Sequence, residues 1–276
     1  KFFHCDGSLE KYPCNTFAIH DTENISLKLF LSNDLLLQNY KWGVIIKAEQ
    51  KLLRIIDVIS KLEDKLLSSK ISIGQGLNLT KSHIVYNQTN NTFPYYTSEI
   101  GPTYSWNNSS CYVRKDDISL SRKKPILIMP RGIGTHFCSI NECSGYTSSY
   151  VEIYGSLSHE ETLNIWLFCN SSLFWLLREI TGRTNLGGGM LKAEATDLRS
   201  IPMCFNFNRP SEIQSIYMTV KEKVINTNIS VTLNDAQHCM IDTIVLNYLG
   251  LEKEETYIKN MLQNMIDRRM KKSKTK

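Results

Sequence analysis

No apolar run in the 276 residues approaches the roughly twenty that a membrane-spanning helix needs, so none of the residues given forms such a span. Metal-ligand spacing is missing as well. Eight cysteines (Cys5, Cys14, Cys111, Cys138, Cys143, Cys169, Cys204 and Cys239) are scattered without a CxxC pair or a Cys/His cluster. That pattern predicts neither a zinc site nor a compact disulfide framework, but reduced thiols in a cytoplasmic protein. His4, Cys5 and His20 are read as structural. The chain opens at Lys1 with no initiator methionine and no targeting segment, which predicts a processed chain or a fragment. Charge of one sign is also in short supply. The net +5 favours an anionic partner without requiring one. No paired carboxylates with a nearby lysine and no Ser/His/Asp constellation suggest catalysis, so the chain by itself is not expected to be an enzyme.

The chain does hold enough apolar residues, 42%, to bury a substantial core as one large domain or two modest ones. Its organising stretch runs from Thr162 to Phe207. The first half is an apolar run broken at Asn170-Ser171-Ser172, residues that compete for backbone hydrogen bonds and favour helix starts. Two packed helices meeting at a capped junction are predicted. Beyond Gly182 come Arg183, then Gly187-Gly188-Gly189, Lys192, a mixed-charge turn and Pro202. A glycine triplet between basic residues serves either as a flexible connection or as backbone presented to a phosphate chain.

Before this stretch, Thr16 to Ile19 and Ile25 to Leu31 carry the β-branched and aromatic residues of strands. From Trp42 to Leu67, apolar residues at Ile45, Ala48, Leu52, Ile55, Ile59, Leu62 and Leu66 recur every three or four positions. That seam predicts one long amphipathic helix, either a core helix or a spacer. Ile71 to Ile73, His83 to Tyr86, Cys111 to Arg114, Ile126 to Met129 and Tyr150 to Tyr154 read as strands of a small, largely antiparallel sheet, with Asn87 to Asn108 an irregular connection. Its aromatics, Tyr95, Tyr96, Tyr104 and Trp106, either pack or stack on bases. Basic residues gather around the Ile126 strand: Arg114, Lys115, Arg122, Lys123, Lys124 and Arg131. Helices are expected over Ser211 to Val224, Asn234 to Leu249 and Glu252 to Met270, with Asn234 as an N-cap and Gly250 as a stop. The tail from Arg268 is basic, either touching DNA or a solvated end.

Four stretches, in this order, resemble the target-recognition region of adenine-N6-specific DNA methyltransferases, including enzymes that fuse restriction and methylation. They are IGQGLNLTKSHIV from Ile73, LIMPRGIGTHF from Leu127, NSSLFWLLREITGR with GGGMLKAEATDLRSIPM from Asn170, and Asn234 to Leu251. One departure is Leu79, which stands where the family's opening loop carries Thr-Gly.

The strand and helix patterns predict an α+β fold: a small twisted, mostly antiparallel sheet with packed helices, a long amphipathic helix on the N-terminal side and a C-terminal helical segment. Residues 1–70 would be cover and spacer helix, 71–210 the target-recognition domain and 211–276 the helical segment. Duplex DNA is the partner that the resemblance implies, and the DNA-facing residues it implies are Gly76, Thr80, Lys81, Lys123, Lys124, Arg131, Gly132, Gly134, His136, Arg183, Gly187, Gly188, Gly189 and Lys192. Among these, Arg131 is expected to read a base, while Lys81 and Arg183 contact phosphate on the same surface.

The family's Asn/Asp-Pro-Pro-aromatic motif is absent, Asn208-Arg209-Pro210 being the nearest candidate. Its glycine-rich site for S-adenosylmethionine is absent too, with Gly74-Gln75-Gly76 the nearest. The chain itself is therefore expected to hold no cofactor, leaving S-adenosylmethionine and catalysis to a methyltransferase domain in a parent chain or partner subunit. A separate specificity subunit of a restriction-modification complex is one alternative. A secreted interaction domain glycosylated at sequons such as Asn78, Asn87 and Asn108 is another.

Overall fold

The computed structural model describes residues 16–19, 28–31, 50–98, 100–183 and 189–274, and side chains between 51 and 271. Two compact units divide the chain, residues 1–61 and 62–276. In the first, strands β1 (Thr16–Ile19) and β2 (Lys28–Leu31) pair antiparallel with Phe17 opposite Phe30. Helix α1 (Gln50–Leu62) then buries Leu52, Ile55, Ile56 and Ile59, the stripe that a spacing of three and four produces. The single long helix expected from Trp42 to Leu67 is shorter at its C-terminal end, and its first residues, including Ile45 and Ala48, lie outside the described residues. The chain leaves helical geometry at Glu63, and Asp64, in extended conformation, caps the separate helix α2 (Lys65–Ser69) by accepting from the Leu67 amide at 2.9 Å. Leu62 and Leu66, read as part of the seam, are exposed.

The second unit is α+β, with small sheets in which antiparallel pairs dominate. A five-stranded sheet has the order β3 (Ile71–Gln75), β12 (Tyr150–Gly155), β8 (Leu127–Pro130), β10 (Ser139–Asn141) and β6 (Ser105–Trp106). Register places Ile153 opposite both Ile73 and Leu127, and only β6 runs parallel to its neighbour. The second sheet has the order β11 (Tyr146–Thr147), β5 (Thr92–Tyr96), β7 (Tyr112–Arg114) and β4 (Ile84–Val85). Its core is Tyr95, Val113, Ile118 and Tyr146. Strands β5 and β6 fall inside the segment expected to be irregular. There Tyr95, Tyr96, Tyr104 and Trp106 are all buried, with Tyr96 set edge-on to Trp106 at 5.1 Å, so these aromatics pack.

Helices α3 (His159–Cys169) and α4 (Ser172–Thr181) cover the larger sheet, and every residue from Thr162 to Ile180 is buried. A helix apolar all round belongs in an interior. The break between them is the expected capped junction. Ser171 accepts from the Phe174 amide at 3.2 Å, and Asn170 reaches the sheet, bonding both the amide (3.0 Å) and the carbonyl (2.9 Å) of Cys138. After α5 (Ala195–Leu198), four helices complete the unit: α6 (Pro210–Val220), α7 (Ile229–Leu233), α8 (Ala236–Leu249) and α9 (Glu255–Lys274). Asn234 ends α7 instead of starting α8. The α8 N-cap is Asp235, which accepts from both the Gln237 and His238 amides. Gly250 closes α8 at φ +66°, as its position in the sequence requires. Among the described residues, no helix is long and apolar enough to cross a membrane.

Candidate nucleic-acid interface

Strand β8 is buried throughout, and at its end the chain emerges as Arg131-Gly132 before running back inside at Ile133. Two buried arginines grip the backbone on either side of that emergence. Arg178, from α4, donates to the Pro130 carbonyl at 2.5 Å, and Arg269, from α9, donates to the Ile133 carbonyl at 3.2 Å. Both guanidinium groups are buried, and burial pushes Arg178 down to about 10, still protonated at neutral pH.

The short strand β9 (Gly132–Ile133) pairs with β13 (Leu191–Lys192), setting Gly132 opposite Lys192. Lys192 bridges to Arg183 through paired backbone bonds of 2.8 Å, and the Ala193 amide reaches the Arg131 carbonyl at 2.9 Å. Arg131, Arg183 and Lys192, far apart in sequence, thereby share one small β structure. Gly132 and Gly134 are exposed, and a Cβ on Gly134 would meet nothing within 4 Å.

Two acids stand among these cations. Glu194, the N-cap of α5, accepts from Lys192 at 2.6 Å and from Arg183 at 3.3 Å. The Lys192 bond, supported by Arg183 and Arg131, holds its carboxyl below the ordinary carboxylate range. Asp197 is buried, caps the Glu194 amide at 3.0 Å and lies 3.4 Å from Arg183. The side chains of Arg183 and Lys192 thus point at carboxylates on one edge of the turn, while Arg131 is half-buried beside them.

Other expected site residues lie elsewhere. Lys81 is exposed in the 3₁₀ turn Lys81–His83 between β3 and β4, strands of other sheets, and Thr80 bonds Ser82 and His83 at 2.7 Å. Strand pairing therefore unites Arg131 with Arg183 but does not bring Lys81 to them. Lys123 is exposed, and the Lys124 ammonium lies 4.6 Å from the Phe93 ring centre. Arg122 is taken up by the buried Glu152 and by the Gln75 carbonyl at 2.5 Å. Gly76 is pressed against its own chain: a Cβ there would lie 1.6 Å from the Ser148 carbonyl oxygen. Gly74-Gln75-Gly76 belongs to the edge strand β3 and the residue after it, not to a strand-turn-helix nucleotide cradle. Gly187 and Gly188 lie outside the described residues.

His136 is interior, its Nε2 2.8 Å from Glu179 Oε1. Burial lowers its imidazole below the ordinary value, leaving the neutral ring to donate. Burial alone would raise Glu179, but the bonds from His136 and Arg269 outweigh it and keep the carboxylate ionised. His136 therefore supports the turn from inside.

A serine, a histidine and an aspartate do come together, which linear spacing did not reveal. Asp242 accepts from the Ser172 amide at 2.7 Å and from its hydroxyl at 2.6 Å, and that hydroxyl accepts from His238 Nε2 at 2.9 Å. The aspartate thus holds the serine instead of orienting the histidine, and all three are buried. The node locks the first turn of α4, where a carboxylate suits the helix N-terminus. Sequence reasoning also missed Arg178, Glu179 and Arg269. Adjacent charges in the apolar run LFWLLREIT are the signal that a buried ionic node lies beneath the turn.

No protein-family model matches the chain, and no curated protein matches it.

Proposed function

We propose that residues 62–276 read duplex DNA as the target-recognition part of an adenine-specific DNA methyltransferase of a restriction-modification system. Methyl transfer and S-adenosylmethionine binding fall to a domain outside this chain. The observation that carries the reading is the Arg131-Gly132 turn, held rigid between Arg178 and Arg269 with Lys192 and Arg183 beside it. A fixed turn lets a guanidinium make the paired hydrogen bonds by which guanine is read in the major groove, while neighbouring cations neutralise phosphates. Placing the protein in the cytoplasm, where such enzymes meet DNA, belongs to the same proposal.

Titrating labelled duplex across a salt series tests it. Affinity should fall steeply with salt, and Lys192→Ala should lower the salt slope by about one unit, whereas Arg131→Ala should relax preference at one base position. Absence of binding at low salt, or binding indifferent to salt, would refute the assignment.

A further inference from the structure

We propose that Arg269, on the C-terminal helix α9, is a positioning residue for the DNA-reading turn: it sets the geometry of Gly132–Ile133 and Gly189 without touching nucleic acid. The inference rests on the duplex-reading assignment above. One guanidinium gathers three segments. Its Nε lies 3.1 and 3.2 Å from the two Glu179 oxygens, and its Nη1 donates to the Ile133 carbonyl at 3.2 Å and to the Gly189 carbonyl. Gly189 ends the glycine triplet with φ +70°, and a Cβ there would stand 2.8 Å from Met270 Sδ and 3.3 Å from the Arg269 carbonyl oxygen. Only glycine combines that left-handed backbone with so close an approach to α9. From Gly189 the chain enters β13 within two residues, so the same contact fixes where Lys192 meets Gly132.

Arg269 is 4% exposed and its charge is spent on Glu179, which places it behind the turn and not among the groups that meet phosphate. Its planar fork spans a carboxylate and two carbonyls at once. A lysine ammonium keeps the charge but lacks that reach. The basic tail from Arg268 thus contains one residue with a job distinct from general attraction of DNA.

The test compares the full chain with Arg269→Lys, and with Arg269→Gln as the uncharged variant. For Arg269→Lys the expected result is duplex affinity lowered roughly tenfold with an unchanged salt slope. The Lys192 and Ala193 amides, which close the small β structure, should exchange faster with solvent, while those of Val151 and Ile153 in β12 keep their rates. Unchanged affinity and exchange, or a salt slope reduced by about one unit, would overturn the proposal, the second because it would make Arg269 a phosphate contact. Global unfolding of both variants would also overturn it, by assigning Arg269 to the core as a whole. Should the unaltered chain bind no duplex, the function reading fails separately, and the amide exchange alone decides whether Arg269 holds the turn.

Discussion

Glu194 sets how much positive charge the turn offers, because it accepts from Lys192 and Arg183 and lies close enough to Arg131 to feel its charge. A phosphate approaching these cations must compete with a carboxylate already in place. Glu194→Gln should therefore strengthen binding to every duplex at low salt and steepen the salt slope by up to about one unit. An unchanged slope in the titration would mean that these cations do not meet phosphate. Arg131 and Arg183 stood out in the sequence because each lies beside a glycine, and Lys192 because it flanks the glycine triplet, a signal confined to a few neighbouring residues. Glu194 and Asp197 were visible only as a mixed-charge turn, and the partnership of Glu179 with Arg269 spans 90 positions, beyond the reach of any local pattern. Burial decides such cases. His136, expected at the DNA surface, packs its ring 5.7 Å from Trp175 and bonds inward to Glu179.

Among the elements, those announced by capping residues were the easiest to read, since a cap acts within one turn of its own position. The Asn170-Ser171-Ser172 junction and the Gly250 stop lie where the sequence put them, whereas the α8 N-cap, expected at Asn234, is the next residue, Asp235, because Asn234 closes α7. Strand β5 was hidden because Pro94 and its polar surroundings argue for a loop. The strand forms all the same, for Pro94 precedes Tyr95 and Tyr96, the two residues that pair with β11. At the junction the two caps differ in what they hold. Ser171 stays within the helix ends, accepting from the Phe174 amide of α4 and donating to the Phe168 carbonyl of α3 at 2.7 Å, and its removal in Ser171→Ala should cost about 1 kcal/mol. Asn170 ties the helix pair to the sheet at Cys138 and also bonds the Trp166 carbonyl at 3.0 Å. Asn170→Ala leaves buried backbone groups unpaired and should cost about 2–3 kcal/mol. Chemical denaturation ranks the two variants. Equal losses would show that Asn170 only ends a helix.

At the scale of the molecule, the α+β class was legible because strand patterns fill Ile71 to Tyr154 and helix patterns follow, but the sheet order was not. The parallel pairs β6 with β10 and β5 with β11 join segments about 35 and 50 residues apart through packing that no local motif encodes. The same long-range packing makes stability depend on pH. Trp175 stacks against two buried histidines, His136 and His238, with ring centres 5.7 and 4.6 Å away. Burial is the main force lowering both imidazoles. Glu179 opposes it at His136 while Arg178 and Arg269 add to it, and Asp242 opposes it at His238 while Lys259 adds to it. Unfolded, each imidazole takes up a proton near pH ~6.5. Folded, each does so only at lower pH, so between those values the unfolded chain binds more protons and stability must fall as pH falls. The loss begins near pH ~6.5 and amounts to at most about 1.4 kcal/mol per pH unit for each histidine, until its folded value is reached. Glu152, raised by burial, works in the opposite sense, because its folded form takes up a proton first on acidification. Glu179, held low, stays ionised across this window. Urea midpoints between about pH 7.5 and 5.5 should therefore decline, and His238→Gln and His136→Gln should each flatten the decline while Glu152 remains in place. If both variants kept the full slope, the histidines around Trp175 would not be the groups that sense acid.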